Sequence, residues 1–183
     1  MAAQLVNLNQ AALSCVVNGG YTHLWIAEKK FISAVTSAAG VVTNFTMTTT
    51  GKWKKWEPDL DNTANYTQTG NRTGKNRNQT QVGFAKLGGI DAAMVIANQD
   101  AVQTCDVVAI YVLPNGTRLV QGLEIDAAAT GGFTGSKIEQ TLLISSTFTD
   151  TAQNENRTEF TIQGIAALPS STTTLSDAAL LAL

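Results

Sequence analysis

The stretch Cys105 to Leu113 is almost wholly apolar, and Pro114-Asn115-Gly116-Thr117 follows it at once. Nine such residues are too few for a helix core and suit a strand covered on both faces. The Pro-Asn-Gly-Thr segment is turn chemistry, so the chain reverses there into Arg118 to Ile125. A strand buried on both faces needs a layer on each side, so the fold must have at least two layers around it.

The flanking segments supply those layers. Tyr21 to Ala27 reads as a strand, with Tyr21, His23, Trp25 and Ala27 on one face and Thr22, Leu24 and Ile26 on the other. Phe31 to Thr36 is a short strand candidate, and Gly40 separates it from the β-branched run Val41 to Thr50. Ile138 to Thr149 and Thr158 to Ala166 alternate apolar and polar residues, joined by the polar turn Asp150 to Asn156. One helix is predicted over about 90–101, where Ile90, Ala93, Met94, Ala97 and Ala101 form an apolar stripe. Gly88-Gly89 introduces it, and Ala127 to Gly135 reads as a loop of small residues. Ser176-Asp177 can cap a short apolar helix, Ala178 to Leu183. Seven or eight strands and a flanking helix predict a mainly β fold, an antiparallel sandwich or barrel. The expected division is an N-terminal arm over 1–20, a β domain over 21–167 and a C-terminal extension over 168–183.

Residues 65–84 are the exception to this apolar patterning. Tyr66-Thr67-Gln68-Thr69 and Gln79-Thr80-Gln81-Val82 have strand composition around the turn-like Gly70 to Lys75. The pattern predicts a long hairpin that is polar on both faces. Such a hairpin has no hydrophobic core of its own and becomes ordered by pairing with something else. Charge is scarce throughout: 14% of the 183 residues are charged, against about 25% in an ordinary soluble domain. Thr, Asn, Gln, Ser and Ala take the place of the missing charges, and Thr alone is roughly one residue in seven. A surface of this kind suits a chain largely covered by copies of itself.

Catalytic and ligand motifs fail on spacing. His23 is the sole histidine, which removes His-rich metal sites and any Ser-His-Asp triad built without it. Cys15 and Cys105 stand too far apart in sequence for a zinc site or a disulfide framework, and read as buried thiols. Asp59-Leu60-Asp61-Asn62-Thr63 lacks the glycine and terminal glutamate of a calcium loop. Gly70-Asn71-Arg72-Thr73-Gly74-Lys75-Asn76 has three residues between its glycines where a P-loop has four, and Asn76 where it has Ser or Thr. Asn44, Asn65, Asn71, Asn78, Asn115 and Asn156 open Asn-x-Thr sequons, read here as polar strands and turns because no signal-peptide pattern begins the chain. No apolar run approaches the length of a membrane span. No catalytic residue, metal or cofactor is expected, and the chain is read as non-enzymatic.

Two basic clusters remain. Lys52, Lys54 and Lys55 surround Trp53 and Trp56, and Arg72, Lys75 and Arg77 cluster in the hairpin. Basic residues beside aromatics can hold single strands of nucleic acid. However, the net charge of −2 and the acids Glu57, Asp59 and Asp61 point instead to charge pairing with a neighbouring subunit. Tyr66, Arg72, Lys75, Asn76, Arg77 and Asn78, with Trp53, Lys54, Lys55 and Trp56, are the candidate subunit-interface or lumen residues.

The order of these segments carries a resemblance. Gly51-Lys52-Trp53-Lys54-Lys55-Trp56-Glu57-Pro58-Asp59 leads to the Thr-rich hairpin Tyr66 to Thr80. Lys86-Leu87 and the helix follow, then Pro114-Asn115-Gly116-Thr117, then Leu119-Val120-Gln121-Gly122-Leu123-Glu124-Ile125 before the Gly-rich loop. Over about residues 20–167 this resembles the major tail tube-type structural proteins of phages that infect Bacteroidetes. The resemblance implies a β-sandwich or barrel with one flanking helix. It implies hexameric rings that stack into a tube through which the genome passes without specific binding. The implied partners are further copies, the tape measure, the terminator and baseplate components. The implied location is the virion tail, assembled in the host bacterial cytoplasm. Family tubes often have an acidic lumen, which would put the hairpin's basic cluster at an inter-ring contact facing an acidic patch. From a different class comes a carbohydrate-binding or adhesive β-sandwich on a phage surface, with Trp53 and Trp56 as its sugar-stacking platform.

Overall fold

The computed structural model describes residues 20–57, 64–73, 76–88, 107–123, 143–151, 154–166 and 170–183. In chain order the strands are β1 (His23–Glu28), β2 (Ile32–Ala38), β3 (Val41–Met47), β4 (Lys54–Trp56), β5 (Asn65–Thr73), β6 (Asn76–Gly88), β7 (Val107–Val112), β8 (Arg118–Gln121), β9 (Leu143–Thr151), β10 (Asn154–Ala166) and β11 (Ser171–Thr173). A 3-10 turn, Lys29–Phe31, joins β1 to β2, and a short helix α1 (Asp177–Ala182) ends the chain. Seven strands form one sheet in the order β2-β3-β11-β8-β7-β1-β4, and four form a second in the order β5-β6-β10-β9. The chain is mainly β and sandwich-like, as its patterning predicts.

The central strand β7 is buried along its whole length. Its alternate residues serve two cores. Val108, Ile110 and Val112 pack with Trp25 and Ala27 of β1, Val35, Val42, Phe45, Val120 and Leu180. Val107, Ala109 and Tyr111 pack with Leu24, Ile26, Tyr21 and Ile162 of β10. The second core is the seam between the two sheets. The first is enclosed by the seven-stranded sheet itself. Phe45 on β3 meets Trp53, beside β4, edge-to-face at 5.0 Å between ring centroids. Strands near opposite ends of the sheet therefore touch, and the sheet is rolled into a half-barrel that α1 closes with Leu180.

The hairpins follow their turn residues. Pro114 to Thr117 turns as predicted, closed by Leu113 N donating to Thr117 O at 2.8 Å and Thr117 N donating to Asn115 Oδ1 at 2.9 Å. Ala38 pairs with Val41, leaving Ala39 and Gly40 as a two-residue turn with φ of 50° and 81°. That is the left-handed geometry that matches strand twist, and it suits Gly40 better than Ala39.

Two expectations change. The described part of the expected extension 168–183 supplies an interior strand of the larger sheet. There β11 lies parallel to β3 and antiparallel to β8. Thr173 is buried, and its hydroxyl donates to Val42 O at 2.8 Å. A three-residue strand of Ser and Thr has no apolar alternation to announce it. The eleven described strands also outnumber the predicted seven or eight, and two of them, β4 and β11, are too short to show a period. The helix predicted over about 90–101, the loop 127–135 and all but Gly20 of the arm lie outside the described residues.

Candidate functional site

The hairpin predicted over 65–84 is formed by β5 and β6, paired in unbroken register from Asn65↔Phe84 to Thr73↔Asn76. On its other side β6 pairs with β10, from Gln79↔Ala166 to Gly88↔Arg157. The hairpin therefore finds its partner strand within the chain. Its tip, however, runs on: Asn76, Arg77 and Asn78 lie past the last residue of β10 to pair with β6. Asn71 stands opposite Asn78, and Arg72 directly opposite Arg77. Lys75 lies outside the described residues.

The base of the hairpin is pinned by Tyr66. Tyr66 pairs with Gly83, so both sit on the face turned towards β7. The Tyr66 ring lies 4.7 Å from that of Tyr111, and Tyr21 meets Tyr111 edge-on at 5.0 Å. Gly83 is what makes room, since a Cβ there would fall 2.0 Å from the Tyr111 hydroxyl oxygen. That hydroxyl donates to Gln121 Oε1 at 2.6 Å. Burial raises the pKa of Tyr111 well above its ordinary value, and that of Tyr66 also, against the hydrogen bond between Tyr66 and Ser170. Tyr66, expected at a subunit interface, is instead an anchor between the two sheets, because its register turns it inward.

Beyond this anchor the outer strand of the hairpin meets solvent. Thr67, Gln68, Thr69 and Gly70 of β5 are exposed, and among the described residues no strand pairs with the outer side of β5. Across the outward face of the sheet lie two rows, Thr67–Val82–Gln163 and Thr69–Thr80–Ile165. Both are uncharged, and Ile165 is 57% exposed.

Four sheet edges can be compared, because exposed edges invite pairing and monomers guard them. The β4 edge is three residues long and carries exposed Lys54 and Lys55. The β2 edge is interrupted by register shifts at Ile32/Ala34 and Thr36/Ser37. The β9 edge carries Asp150, and its pairing with β10 shifts register between Asn154 and Arg157. β5 and β9 are both nine residues long, but of the two only β5 is unbroken in register and free of proline, lysine and acid.

The tryptophan cluster divides. Trp53 is 5% exposed in the half-barrel core, whereas Trp56 is half-buried against the core between the sheets. Residues three apart in an extended chain point to opposite faces, so the pair forms no common platform. Trp53 is corrected from a surface candidate to a core residue. Lys54 and Lys55 are exposed as expected, with Lys55 paired to Glu57 of its own chain.

A polar cluster that single motifs did not reveal joins the C-terminus to the sheet. Asp177, the first residue of α1, accepts from Arg118 Nη1 at 2.7 Å and from Trp25 Nε1 at 3.2 Å. His23 Nε2 lies 2.8 Å from its other oxygen, at ion-pair distance but off the line of a hydrogen bond. Partial burial pushes the Asp177 carboxyl up, but Trp25, His23 and Arg118 outweigh it and hold it below the ordinary range. Desolvation lowers the His23 pKa against the pull of Asp177. Ser176 caps the helix by accepting from Ala179 N at 3.2 Å. That Ser-Asp cap was the sequence signal; Arg118 and His23 were too remote to be joined to it. The cluster is a clamp, and His23 is packed in it.

Among the described residues no three His, Cys, Asp or Glu side chains gather to hold a metal ion. No helix there is long and apolar enough to cross a membrane. Comparison with protein-family models, curated proteins and solved structures finds nothing that matches this chain.

Proposed function

We propose that this chain is a structural protein that assembles with copies of itself into stacked rings, forming a tube of the phage tail type. The observation that carries this reading is the β5 edge: long, regular, uncharged up to Arg72 and unguarded. Among the described residues no strand pairs with its outer side, so its backbone groups can offer a neighbouring copy a strand to pair with, and its exposed Thr and Gln side chains set no charge against that approach. Hexameric rings, a lumen for the passing genome, contacts with tape measure, terminator and baseplate proteins, and location in the virion tail are what the resemblance adds. The chain acts by assembly, without catalysis or cofactor. The adhesive alternative rested on Trp53 and Trp56 as a platform, and no observation favours it.

Negative-stain microscopy and light scattering of the purified protein test the reading. Rings or tubes are expected. Thr67→Lys with Thr69→Lys places two like charges on the edge and should leave monomers of unchanged circular dichroism. A wild-type protein that stays monomeric at high concentration refutes the proposal.

A further inference from the structure

The four-stranded sheet is long and its two ends differ in charge. The β5–β6 tip lies at the Ala166 end of β10, and the connection from β9 to β10 lies at the opposite end. Along β6 and on through β10 from Asn76 to Asn154 is about fifteen residue steps, roughly 50 Å at about 3.3 Å per step. At the first end Arg72 and Arg77 are directly opposed across the pair. Like charges facing each other across a ladder destabilise it. The strands on which they stand and that flank them, β5, β6 and the half of β10 from Phe160 to Ala166, contain no Asp or Glu.

The other end repeats the problem with the opposite sign. Asn154 pairs with Thr151 and Arg157 with Thr149, so Asp150 opposes Glu155 and Asn156 within the register shift. Arg157 lies inboard of them, and Glu159, further in, pairs with Lys86 of β6. Among the described residues, the outermost charged positions at this end are thus two acids, Asp150 and Glu155, and those at the other end two arginines. Within one chain the two ends cannot neutralise each other. They are separated by several Debye lengths of about 8 Å at physiological salt.

We infer that the Arg72/Arg77 end of the sheet in one copy docks on the Asp150/Glu155 end of the next, so that copies join end to end along the strand direction. The partner is a second copy of this chain, and the contact is the one between rings. The inference rests on the assembly reading and names the surfaces that carry stacking. Each end relieves the other's like-charge repulsion, and opposite ends set the polarity of the stack.

The test is a charge exchange. Arg72→Glu with Arg77→Glu makes both ends acidic, and Asp150→Arg with Glu155→Arg makes both basic. Each double variant alone should form rings that do not stack, with end-to-end association weakened about tenfold or more. Mixed in equal amounts, the two should stack again, because each supplies the end the other lacks. One molar salt should dissociate wild-type stacks, since the Debye length falls to about 3 Å. Circular dichroism confirms that each variant is folded. If wild type forms tubes and either variant stacks equally well alone, or the mixture fails to stack, this inference is overturned and the assembly reading stands. If wild type forms no rings at all, both fall.

Discussion

Asp177→Ala removes one carboxylate on which three sheet residues converge. Trp25, wholly buried, loses the acceptor of its Nε1. Arg118, whose side chain is 17% exposed, loses its 2.7 Å partner, and His23 loses its ion-pair contact. A buried donor left without an acceptor costs about 1–3 kcal/mol, and a charged hydrogen bond contributes about 1.5–3 kcal/mol. Asp177 is itself 34% exposed, so water replaces part of what is lost. The variant should therefore lose roughly 3 kcal/mol, which in a domain of this size lowers Tm by roughly 6–12 °C. Asp177→Asn keeps an acceptor without the charge and should fall about midway. Urea denaturation at concentrations where light scattering finds monomer measures both, because assembly would otherwise add to apparent stability.

The same clamp fixes a pH dependence. The His23 pKa is lowered from 6.5, so below that value the unfolded chain takes up this proton more readily than the folded one. Folding stability is intact above pH 6.5 and declines as pH falls through the lowered value. Asp177, lowered from 3.8, contributes stability that is present above 3.8 and is lost as pH falls through its own native value. Wild type should lose stability in two stages on acidification, and the gap to Asp177→Ala should close only in the second. A variant within about 0.5 kcal/mol of wild type at pH 7, or a gap that does not depend on pH, refutes the clamp.

Gly83→Ala would set a methyl group 2.0 Å from the Tyr111 hydroxyl oxygen, which is held between Tyr21, Tyr66 and Gln121. A loss of roughly 2–4 kcal/mol is expected by denaturant titration, with reduced near-ultraviolet tyrosine dichroism. Ala39→Asn relieves a left-handed alanine in the β2–β3 turn and should raise stability by about 0.5–1 kcal/mol, read as a higher denaturation midpoint. Trp53→Ala empties the half-barrel core beside Phe45 and should cost about 3–5 kcal/mol, with loss of the emission of a buried indole.

What the sequence showed of this fold depended on how each element is buried. β7 was legible because both its faces are covered, so every residue from Val107 to Val112 had to be apolar. The Pro114 to Thr117 turn was legible because only a few residue types satisfy its backbone. The long hairpin was legible from its strand composition around a turn, even without an apolar face. By contrast β11 is held by its position between β3 and β8 and by one buried threonine, which no periodicity reports. Tyr66, a subunit-interface or lumen candidate in sequence, stands among polar neighbours, whereas its strand parity with Gly83 decides where the ring goes. Trp53 and Trp56 were read as a pair, although a spacing of three in an extended segment sends them to different cores. The clamp joins His23, Arg118 and Asp177 from three distant places, a relation that only the folded sheet creates.

The edges and the charges belong to one argument. A monomeric β protein leaves no long strand edge bare, since a bare edge pairs with whatever strand it meets. This chain protects β4 with lysines and brevity, and β2 with breaks in register, yet leaves β5 unbroken in register and uncharged as far as Arg72. Among the described residues no strand pairs with that edge, and the proposed assembly would give it one. With only 14% of residues charged, the chain has few charges to place. It nevertheless sets Arg72 opposite Arg77 at one end of the four-stranded sheet, and Asp150 beside Glu155 within the register shift at the other. Both features are liabilities for an isolated molecule; in the proposed assembly a copy beside the sheet would cover the edge, and one beyond its end would offset the charge.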